Sequence, residues 1–295
     1  MGTPGRLLLG LPLWSHPGWI STLYRKDAKP RDFLRQYAQV FSCVEGNTTF
    51  YASPSPETVA RWVKQTPTSF RFLFKLPRRI THELLLSGPA VEEAYRFLSL
   101  IEPLGERVSH LLLQLPPRFS PAELPALARF LERLPAGPIP QLRAAVEPRH
   151  PAFFEPGGPG ESLHALLKRF GAERAVMDTR PLRSARPPYD RHTAEALDRK
   201  PALPVWPFAL GEHPVVRFVG HPSLTANQPW LEQWASQLTR WRAEGRTPYF
   251  FAHFPGEQLA PELAEALTTL LEERGEHVSL PSWPGRAQAS LFEGT

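Results

Sequence analysis

The feature that most constrains the fold of this chain is an alternation between short apolar runs and longer segments with helical spacing, repeated eight times. The runs are rich in β-branched and aromatic residues, which is typical of strands that are buried on both faces. The predicted strands are residues 6–10, 41–45, 70–76, 110–115, 142–147, 174–178, 215–219 and 249–254. Such an alternation predicts a parallel sheet whose strands are connected by helices.

The segments between the runs predict seven helices, at residues 30–40, 56–65, 91–101, 121–134, 162–170, 227–243 and 261–274. In the helix at 227–243, Trp230, Trp234, Leu238 and Trp241 share one face, so we expect these side chains in the core. A βα unit repeated eight times predicts a (β/α)8, TIM-like barrel with an outer ring of helices. The alternative is an open doubly wound sheet, which would normally carry a glycine-rich phosphate turn after its first strand; residues 10–14 are not such a turn.

The length of 295 residues suits one domain of this kind, and the 42% of hydrophobic residues are enough for a large core. We predict that residues 1–276 form the barrel domain and that 277–295, which lack periodicity, form a loosely attached C-terminal tail. The connection at 179–214 contains seven prolines and only a weak helical pattern at 193–199. A loop of this length in a compact domain is typical of a lid, here above the sixth strand.

The charge balance is mildly basic, with 34 Lys and Arg against 29 Asp and Glu. Because the arginines are scattered, this balance permits anionic ligands without indicating a nucleic-acid-binding protein. Cys43 is the only cysteine, which excludes a disulfide within the chain and any cysteine-based metal site. The first residues lack the pattern of a signal peptide, and no apolar stretch is long enough to span a membrane. We therefore expect a cytoplasmic protein that does not interact with membranes.

Polar residues stand at the ends of seven of the eight predicted strands or directly after them. In a TIM-like barrel, functional groups come from the C-terminal ends of the strands and from the loops that follow. A charge within an apolar strand is costly unless it is paired, so its presence needs a reason. The predicted catalytic residues are Glu45, Lys75, Glu147 and Asp178, and the predicted substrate-binding residues are Asn47, Thr49, His82, Gln114, Arg149 and Arg217.

These residue types predict an anion site with acid–base groups beside it. Lys75, Arg149 and Arg217 would form a cationic cluster for a phosphate or a carboxylate. The carboxylates would move protons, with pKa values that their neighbours shift apart. Asn47 and Gln114 would orient the substrate by hydrogen bonds. The alternative is a structural ion-pair network that closes the top of the barrel.

No cofactor is predicted, and a metal site has little support. His82, His150, His221 and His253 could hold a divalent metal together with the carboxylates. However, the chain has no H-x-H or H-E-x-x-H spacing, and three cations at the same place oppose a bound dication. Walker A and G-x-S-x-G motifs are also absent from the sequence.

Several motifs resemble those of the YecE-like family, domain of unknown function 72. Residues 41–51, FSCVEGNTTFY, resemble its V-E-x-N-x-T-F-Y signature, and V-E-x-R-H at 146–150 and F-x-F-x-x-K at 70–75 agree in order and spacing. The resemblance spans about residues 7–270 and implies a TIM-like barrel without assigning a substrate. It also places all the predicted site residues at motif positions. The chain departs from the family at Ala252–Pro255, where an asparagine-rich end is usual, and at residues 10–14, where GLPLW keeps only the first and last residues of a G-T-S-G-W opening.

The preferred hypothesis is an enzyme that acts on a small anionic substrate, phosphorylated or carboxylated, at the mouth of the barrel. A nucleic-acid-binding or phosphodiester-processing protein is a second hypothesis, for which the net charge of +5 is thin support. A non-catalytic ligand-binding protein is a third, because fold alone does not decide among them.

Overall fold

Nine parallel strands form a single sheet in the structure, a computed structural model that describes residues 4–139 and 141–293. The strands are β1 (Leu8–Leu11), β2 (Cys43–Gly46), β3 (Arg71–Lys75), β4 (Val108–Gln114), β5 (Arg143–Glu147), β6 (Glu173–Arg174), β7 (Val176–Asp178), β8 (Val215–Val219) and β9 (Tyr249–His253). Their order is β6-β5-β4-β3-β2-β1-β9-β8-β7. The two ends of this order, β6 and β7, are consecutive in the chain, so the sheet closes on itself as a barrel.

The predicted sixth strand is present in two pieces. β6 pairs with β5, where Ala145 lies opposite Glu173, and β7 pairs with β8, where Val176 lies opposite Val216. Ala175 separates the pieces, and its N–H donates to the carbonyl of Val146 at 2.9 Å. The predicted TIM-like barrel of eight βα units is therefore confirmed. Its sixth strand is interrupted at Ala175.

Helices cover the outside of the barrel. They are α1 (Phe33–Val40), α2 (Pro56–Gln65), α3 (Ala90–Ile101), α4 (Leu124–Arg133), α5 (Pro159–Arg169), α6 (Arg180–Ser184), α7 (Arg191–Arg199), α8 (Gln228–Ala243), α9 (Ala260–Glu272) and α10 (Pro284–Glu293). Seven of them match the predicted helices. The start of α2 shows why: the Ser55 hydroxyl accepts the N–H of Thr58 at 3.3 Å, and Pro56 occupies the first helical position.

The core has two parts, one inside the barrel and one between the strands and the helices. The inner part includes Leu73, Leu112 and Phe251, which are completely buried. In the outer part, Trp234 and Trp241 of α8 are buried as expected. Because the barrel interior is filled by apolar side chains, the charged residues at the strand ends are confined to its mouth.

The connection at 179–214 contains more structure than its sequence predicts. It forms α6 and α7, and α7 begins where the Asp190 carboxylate accepts the N–H of Thr193 at 2.9 Å. Residues of α7 line the cavity at the mouth of the barrel. The seven prolines lie outside the turns of α7, so they do not prevent the helix.

The segment after residue 276 is attached more firmly than expected. The Trp283 side chain is only 2% exposed, and Arg286 pairs with Glu265 of α9 at 2.6 Å. The expectation of a loose tail was wrong for these residues because one large aromatic side chain anchors the segment without any periodic pattern. Across the described ranges, no helix is both long and apolar enough to cross a membrane.

Candidate active site at the barrel mouth

Arg217 of β8 lies between two glutamates at the centre of the mouth. Its Nε and Nη2 donate to the two carboxylate oxygens of Glu45 on β2, at 2.8 and 2.5 Å. Its Nη1 donates to Glu147 of β5. All three side chains are at most 3% exposed. Three strands from different parts of the chain are thus joined by one buried guanidinium.

Two further groups extend this network. Arg149 donates through Nε to Glu147 at 2.7 Å and through Nη2 to the Gln114 side-chain carbonyl at 2.8 Å. On the opposite side, His253 Nε2 donates to Glu45 at 3.3 Å. Both carboxylates therefore have more than one donor, which is what a buried carboxylate requires to stay ionised.

The network fixes the charge of its members. Burial by itself would raise the pKa of Glu147, but the attraction of Arg217 and Arg149 outweighs it and lowers this pKa to about 2. The pKa of Glu45 is also held well below its usual value, because Arg217 and His253 overcome the effect of burial. Burial lowers the pKa of Arg217, yet Glu147 and Glu45 raise it overall. Near neutral pH these two carboxylates stay ionised and are weak bases, which favours a structural role.

Lys75, at the end of β3, lies beside the network without joining it. Its Nζ sits over the Phe50 ring, 3.7 Å from the centroid. Among residues 4–139 and 141–293, no carboxylate oxygen lies within 4.0 Å of this nitrogen. Burial and the repulsion of Arg217 lower the pKa of Lys75 to about 7, although Glu147 and Glu45 partly oppose the shift. Lys75 is therefore an amine that changes its charge near neutral pH.

A cavity of about 570 Å³ opens above these residues. Lys75, His82, Gln114 and Arg149 line it from the barrel, and the end of α7 lines it from above. This volume is within the usual range of small-molecule sites, about 300–1,000 Å³.

Two further ionisable residues, Glu257 and Lys200, lie at the rim of the cavity. Burial raises the pKa of Glu257 to about 7 despite the nearby Lys200, and one of its carboxylate oxygens accepts the N–H of Phe254 at 3.0 Å. Burial and the repulsion of Arg217 lower the pKa of Lys200. The rim thus offers a second group that titrates near neutral pH.

The structure brings eight of the predicted site residues together. Glu45, Lys75, Gln114, Glu147, Arg149 and Arg217 form the network and its surroundings, and Asn47 and His82 line the same cavity. Asn47 donates to the Pro12 carbonyl at 3.0 Å. His82 Nδ1 lies 2.9 Å from the Thr81 hydroxyl, and burial together with Lys75 lowers the pKa of His82 to about 4.

Thr49 and Asp178 lie apart from the cavity. The buried Thr49 hydroxyl is 2.6 Å from the Lys75 carbonyl, so it holds the loop after β2 against the end of β3. Asp178 points toward the helix layer, where it accepts Arg180 Nη2 at 2.7 Å and Trp234 Nε1 at 2.8 Å. This geometry does not match the predicted roles of substrate contact for Thr49 and of proton transfer for Asp178.

The sequence reasoning missed the residues that approach the mouth from outside the strand ends. Arg199, Lys200 and Glu257 line the cavity, the first two from the end of α7 and its connection and the third from the loop after β9. Glu257 could have been found by following the predicted eighth strand, 249–254, three residues further. Lys200 carries no local signal, because its position depends on how the 179–214 segment folds. Among the described residues, no group of three or more His, Cys, Asp or Glu is placed to hold a metal ion.

Comparisons with known proteins agree with this architecture. A family model described as protein of unknown function DUF72 matches residues 8–288. The UPF0759 protein YecE of Escherichia coli strain K12 is 38% identical over 290 residues, which cover 97% of this chain and 100% of that protein. A solved DUF72 family protein from Thermotoga maritima MSB8 has a TM-score of 0.66 at 23% identity, over 90% of this chain and 99% of that one. Another from Enterococcus faecalis V583 has a TM-score of 0.64 at 21% identity, over 92% and 99%.

Proposed function

The chain belongs to the DUF72 family of proteins of unknown function, and we propose that it is an enzyme that converts a small anionic substrate in the cavity at the barrel mouth. The observation that carries the proposal is Lys75. Lys75 lines this cavity, and among the described residues no carboxylate oxygen lies within 4.0 Å of its amine. A buried cation without a partner carboxylate is costly, and an anionic ligand would supply the missing charge.

The charge of the cavity wall supports an anionic substrate. The lining includes six Lys or Arg side chains and two Glu side chains. Three more carboxylates pair with lining arginines: Glu83 with Arg78, and Glu45 and Glu147 with Arg217. When these are added to the two lining glutamates, the six lining cations still outnumber the five carboxylates. A phosphate or carboxylate group would therefore be attracted rather than repelled.

Different residues would hold the substrate and move its protons. Arg149 is 14% exposed at its side chain, and its guanidinium can add a substrate anion to the bonds it makes with Glu147 and Gln114. Lys75 and Glu257 titrate near pH 7, where a general base or acid is most effective. In this proposal Arg217 and Glu45 hold the other residues at the bottom of the cavity in place and do not contact the substrate.

A thermal-shift panel tests this function. Phosphate esters, sugar phosphates, nucleotides and dicarboxylates are each added to the purified chain, to its Lys75→Met variant and to a control, Lys64→Met, whose lysine is exposed on α2. A ligand at about 100 times its Kd stabilises by about 2.7 kcal/mol, so we expect one class of anion to raise Tm by several degrees. The rise should persist in Lys64→Met and be lost in Lys75→Met. If no anion raises Tm, or if Lys75→Met responds like the control, the proposal is wrong.

A second candidate function is the binding or processing of single-stranded nucleic acid. It is favoured by Tyr51, which is 81% exposed at the rim of the cavity beside Arg78. An exposed aromatic ring beside a cation can stack a base while the cation contacts a phosphate. Retention on a polyanion column with a steep salt dependence, lost in Tyr51→Ala, would support this function; no retention at about 50 mM salt would contradict it.

We also propose a cytoplasmic location. The only cysteine of the chain, Cys43, is free and buried, which suits a reducing compartment. Fractionation of cells that express the tagged chain would test the location, and recovery in a membrane or secreted fraction would contradict it.

A further inference from the structure

We propose that Lys75 forms a covalent imine with a carbonyl substrate that also carries an anionic group, such as a 2-oxo acid or a phosphorylated aldehyde or ketone. This inference rests on the proposed enzymatic function of the same cavity. It adds the class of substrate and the covalent step.

The position of Lys75 suits a nucleophile. Its backbone is fixed in β3, where it lies opposite Leu112 of β4, and its carbonyl accepts a hydrogen bond from Thr49 at 2.6 Å. The residue is 8% exposed, and its Nζ rests on the face of the Phe50 ring. The side chain is thus largely buried, and Lys75 lines the cavity together with Phe50, on which its Nζ rests. A group placed in this way on a rigid strand needs little reorganisation to attack a bound substrate.

The neighbours of Lys75 leave its lone pair available. The two nearby carboxylates, Glu45 and Glu147, are bound by Arg217. The guanidiniums of Arg217 and Arg149 repel a proton from the amine, and together with burial they bring the pKa of Lys75 to about 7. About half of the amine is then neutral at pH 7, against well under about 1% for a lysine of ordinary pKa. A desolvated lysine beside other cations is the usual arrangement for an amine nucleophile.

The chemical step is balanced without an oxidant or a reductant. The neutral Lys75 Nζ attacks the carbonyl carbon, and a C–N bond forms. One proton passes from the nitrogen to the carbonyl oxygen. The resulting carbinolamine takes up a second proton and loses the oxygen as water, which leaves a protonated imine with one N–H at Nζ. Glu257, whose pKa of about 7 keeps a share of its carboxyl protonated, lines the same cavity and can supply the proton for the departing oxygen.

The charges around the site fit the product as well as the reactant. A protonated imine carries a positive charge at Nζ, which Glu147 and Glu45 attract. Arg149 would hold the anionic group of the substrate, and Gln114 fixes the Arg149 guanidinium by the hydrogen bond between them. An aldehyde or ketone without an anionic group would lack this second contact, so we expect it to react much more slowly.

Reductive trapping tests the proposal. The purified chain is incubated at pH 7 with pyruvate, glyoxylate, glyceraldehyde 3-phosphate or dihydroxyacetone phosphate, each with sodium cyanoborohydride. We expect one class of probe to add a single adduct whose mass is that of the probe less one oxygen atom. Peptide mapping should place it on Lys75 among the six lysines of the chain. Acetone and propanal, which lack the anionic group, should label at least tenfold more slowly.

Variants separate the imine from chance labelling and from binding alone. Lys75→Arg keeps the positive charge and should abolish the adduct, whereas Lys64→Met, on the exposed face of α2, should retain it. Labelling that is equally fast on the exposed Lys64, or that survives in Lys75→Arg, would overturn the proposal. If anions raise Tm and no carbonyl probe labels Lys75, the covalent step is wrong while the enzymatic function stands. If neither occurs, both are wrong. Should Lys75→Arg fail to fold, the mapping of the wild-type adduct still decides.

Discussion

Arg217 and Glu45 face each other across the barrel mouth, joined by two hydrogen bonds of 2.8 and 2.5 Å although β1 and β9 separate their strands in the sheet. The pair therefore spans the barrel from one side to the other. Glu147 binds the same guanidinium from β5, so one arginine ties three distant strands together.

Removal of one carboxylate from this network should destabilise the whole domain. In Glu45→Gln, Arg217 keeps its charge but loses a partner in a buried place, and we expect the free energy of unfolding to fall by about 3–5 kcal/mol at pH 7. Urea unfolding measures this change. Glu132→Gln, on an exposed position of α4, should change it by less than about 0.5 kcal/mol. If Glu45→Gln lowers the free energy of unfolding by no more than the control does, the pair of Arg217 and Glu45 does not hold the three strands together.

Asp178 should matter for stability and not for ligand binding. Its carboxylate is bound by Arg180 and Trp234 behind the barrel wall, away from the cavity. In Asp178→Asn the ion pair with Arg180 is lost, and we expect a loss of about 1–3 kcal/mol in the free energy of unfolding. The rise in Tm caused by an anion should stay the same as in the wild-type chain. An unchanged stability combined with loss of the anion effect would instead support a role in proton transfer.

The stability of the chain should decline as the pH falls below 6.5. Burial lowers the pKa of His253 from 6.5 to about 4, and it lowers that of His110 well below 6.5. The native state keeps both rings neutral, while the unfolded chain takes up protons below about pH 6.5, so protonation favours unfolding. For His253 the loss develops between pH 6.5 and about 4 and reaches about 3 kcal/mol. Glu257, whose pKa burial raises to about 7, acts in the opposite direction between pH 7 and 4.5, whereas the lowered pKa values of His82 and His164, both about 4, add to the loss. The lowered pKa of Glu147 adds a further loss only below its usual value of 4.5.

Urea unfolding at pH 7.5, 6, 5 and 4.5, at constant ionic strength, measures this dependence. His110 offers the clearer variant, because neither of its ring nitrogens has a hydrogen-bond partner among the described residues. His110→Phe should be less dependent on pH than the wild-type chain over the same range. Stability that is flat from pH 7.5 to 4.5 in the wild-type chain would contradict the explanation.

The segment beyond residue 276 should contribute to stability. Trp283 is 2% exposed and stacks beneath Arg286, whose guanidinium carbon lies 3.6 Å from the ring centroid. We expect Trp283→Ala to lower the free energy of unfolding by about 3–5 kcal/mol, as is usual for a buried tryptophan. Arg286→Gln, which removes the contact with the Trp283 ring and a surface ion pair with Glu265, should cost less than about 2 kcal/mol. Equal effects of the two changes would indicate a loosely attached tail.

The fold could be predicted from the sequence because the barrel depends on a repeated pattern. Short apolar runs separated by helical spacing are independent signals that agree with one another, and even the divided strand at Glu173–Asp178 keeps its place in the sheet. The break at Ala175 could not be predicted, since it concerns only which neighbour each half pairs with.

The sequence indicated which residues lie at the candidate site, but not what each of them does there. Charged residues at strand ends indicated Arg217, Glu45 and Lys75, yet the pattern does not say which cation takes which carboxylate. Arg217 was expected to bind a substrate, whereas it is 2% exposed and occupied by two glutamates. Asp178 shows a second limit, because a strand end does not reveal whether its side chain faces the cavity or the helices. These questions depend on contacts between residues far apart in the chain.

The division of one strand into β6 and β7 interrupts the hydrogen bonding around the barrel at one place. Among the strands described, β6 pairs only with β5, and β7 pairs only with β8. At this point of the barrel the two halves of the sheet are therefore connected by the backbone through Ala175 and not by hydrogen bonds between two neighbouring strands. Amide protons of residues 173–178 should accordingly exchange with deuterium sooner than those of His110–Leu112 in β4, which are paired on both sides.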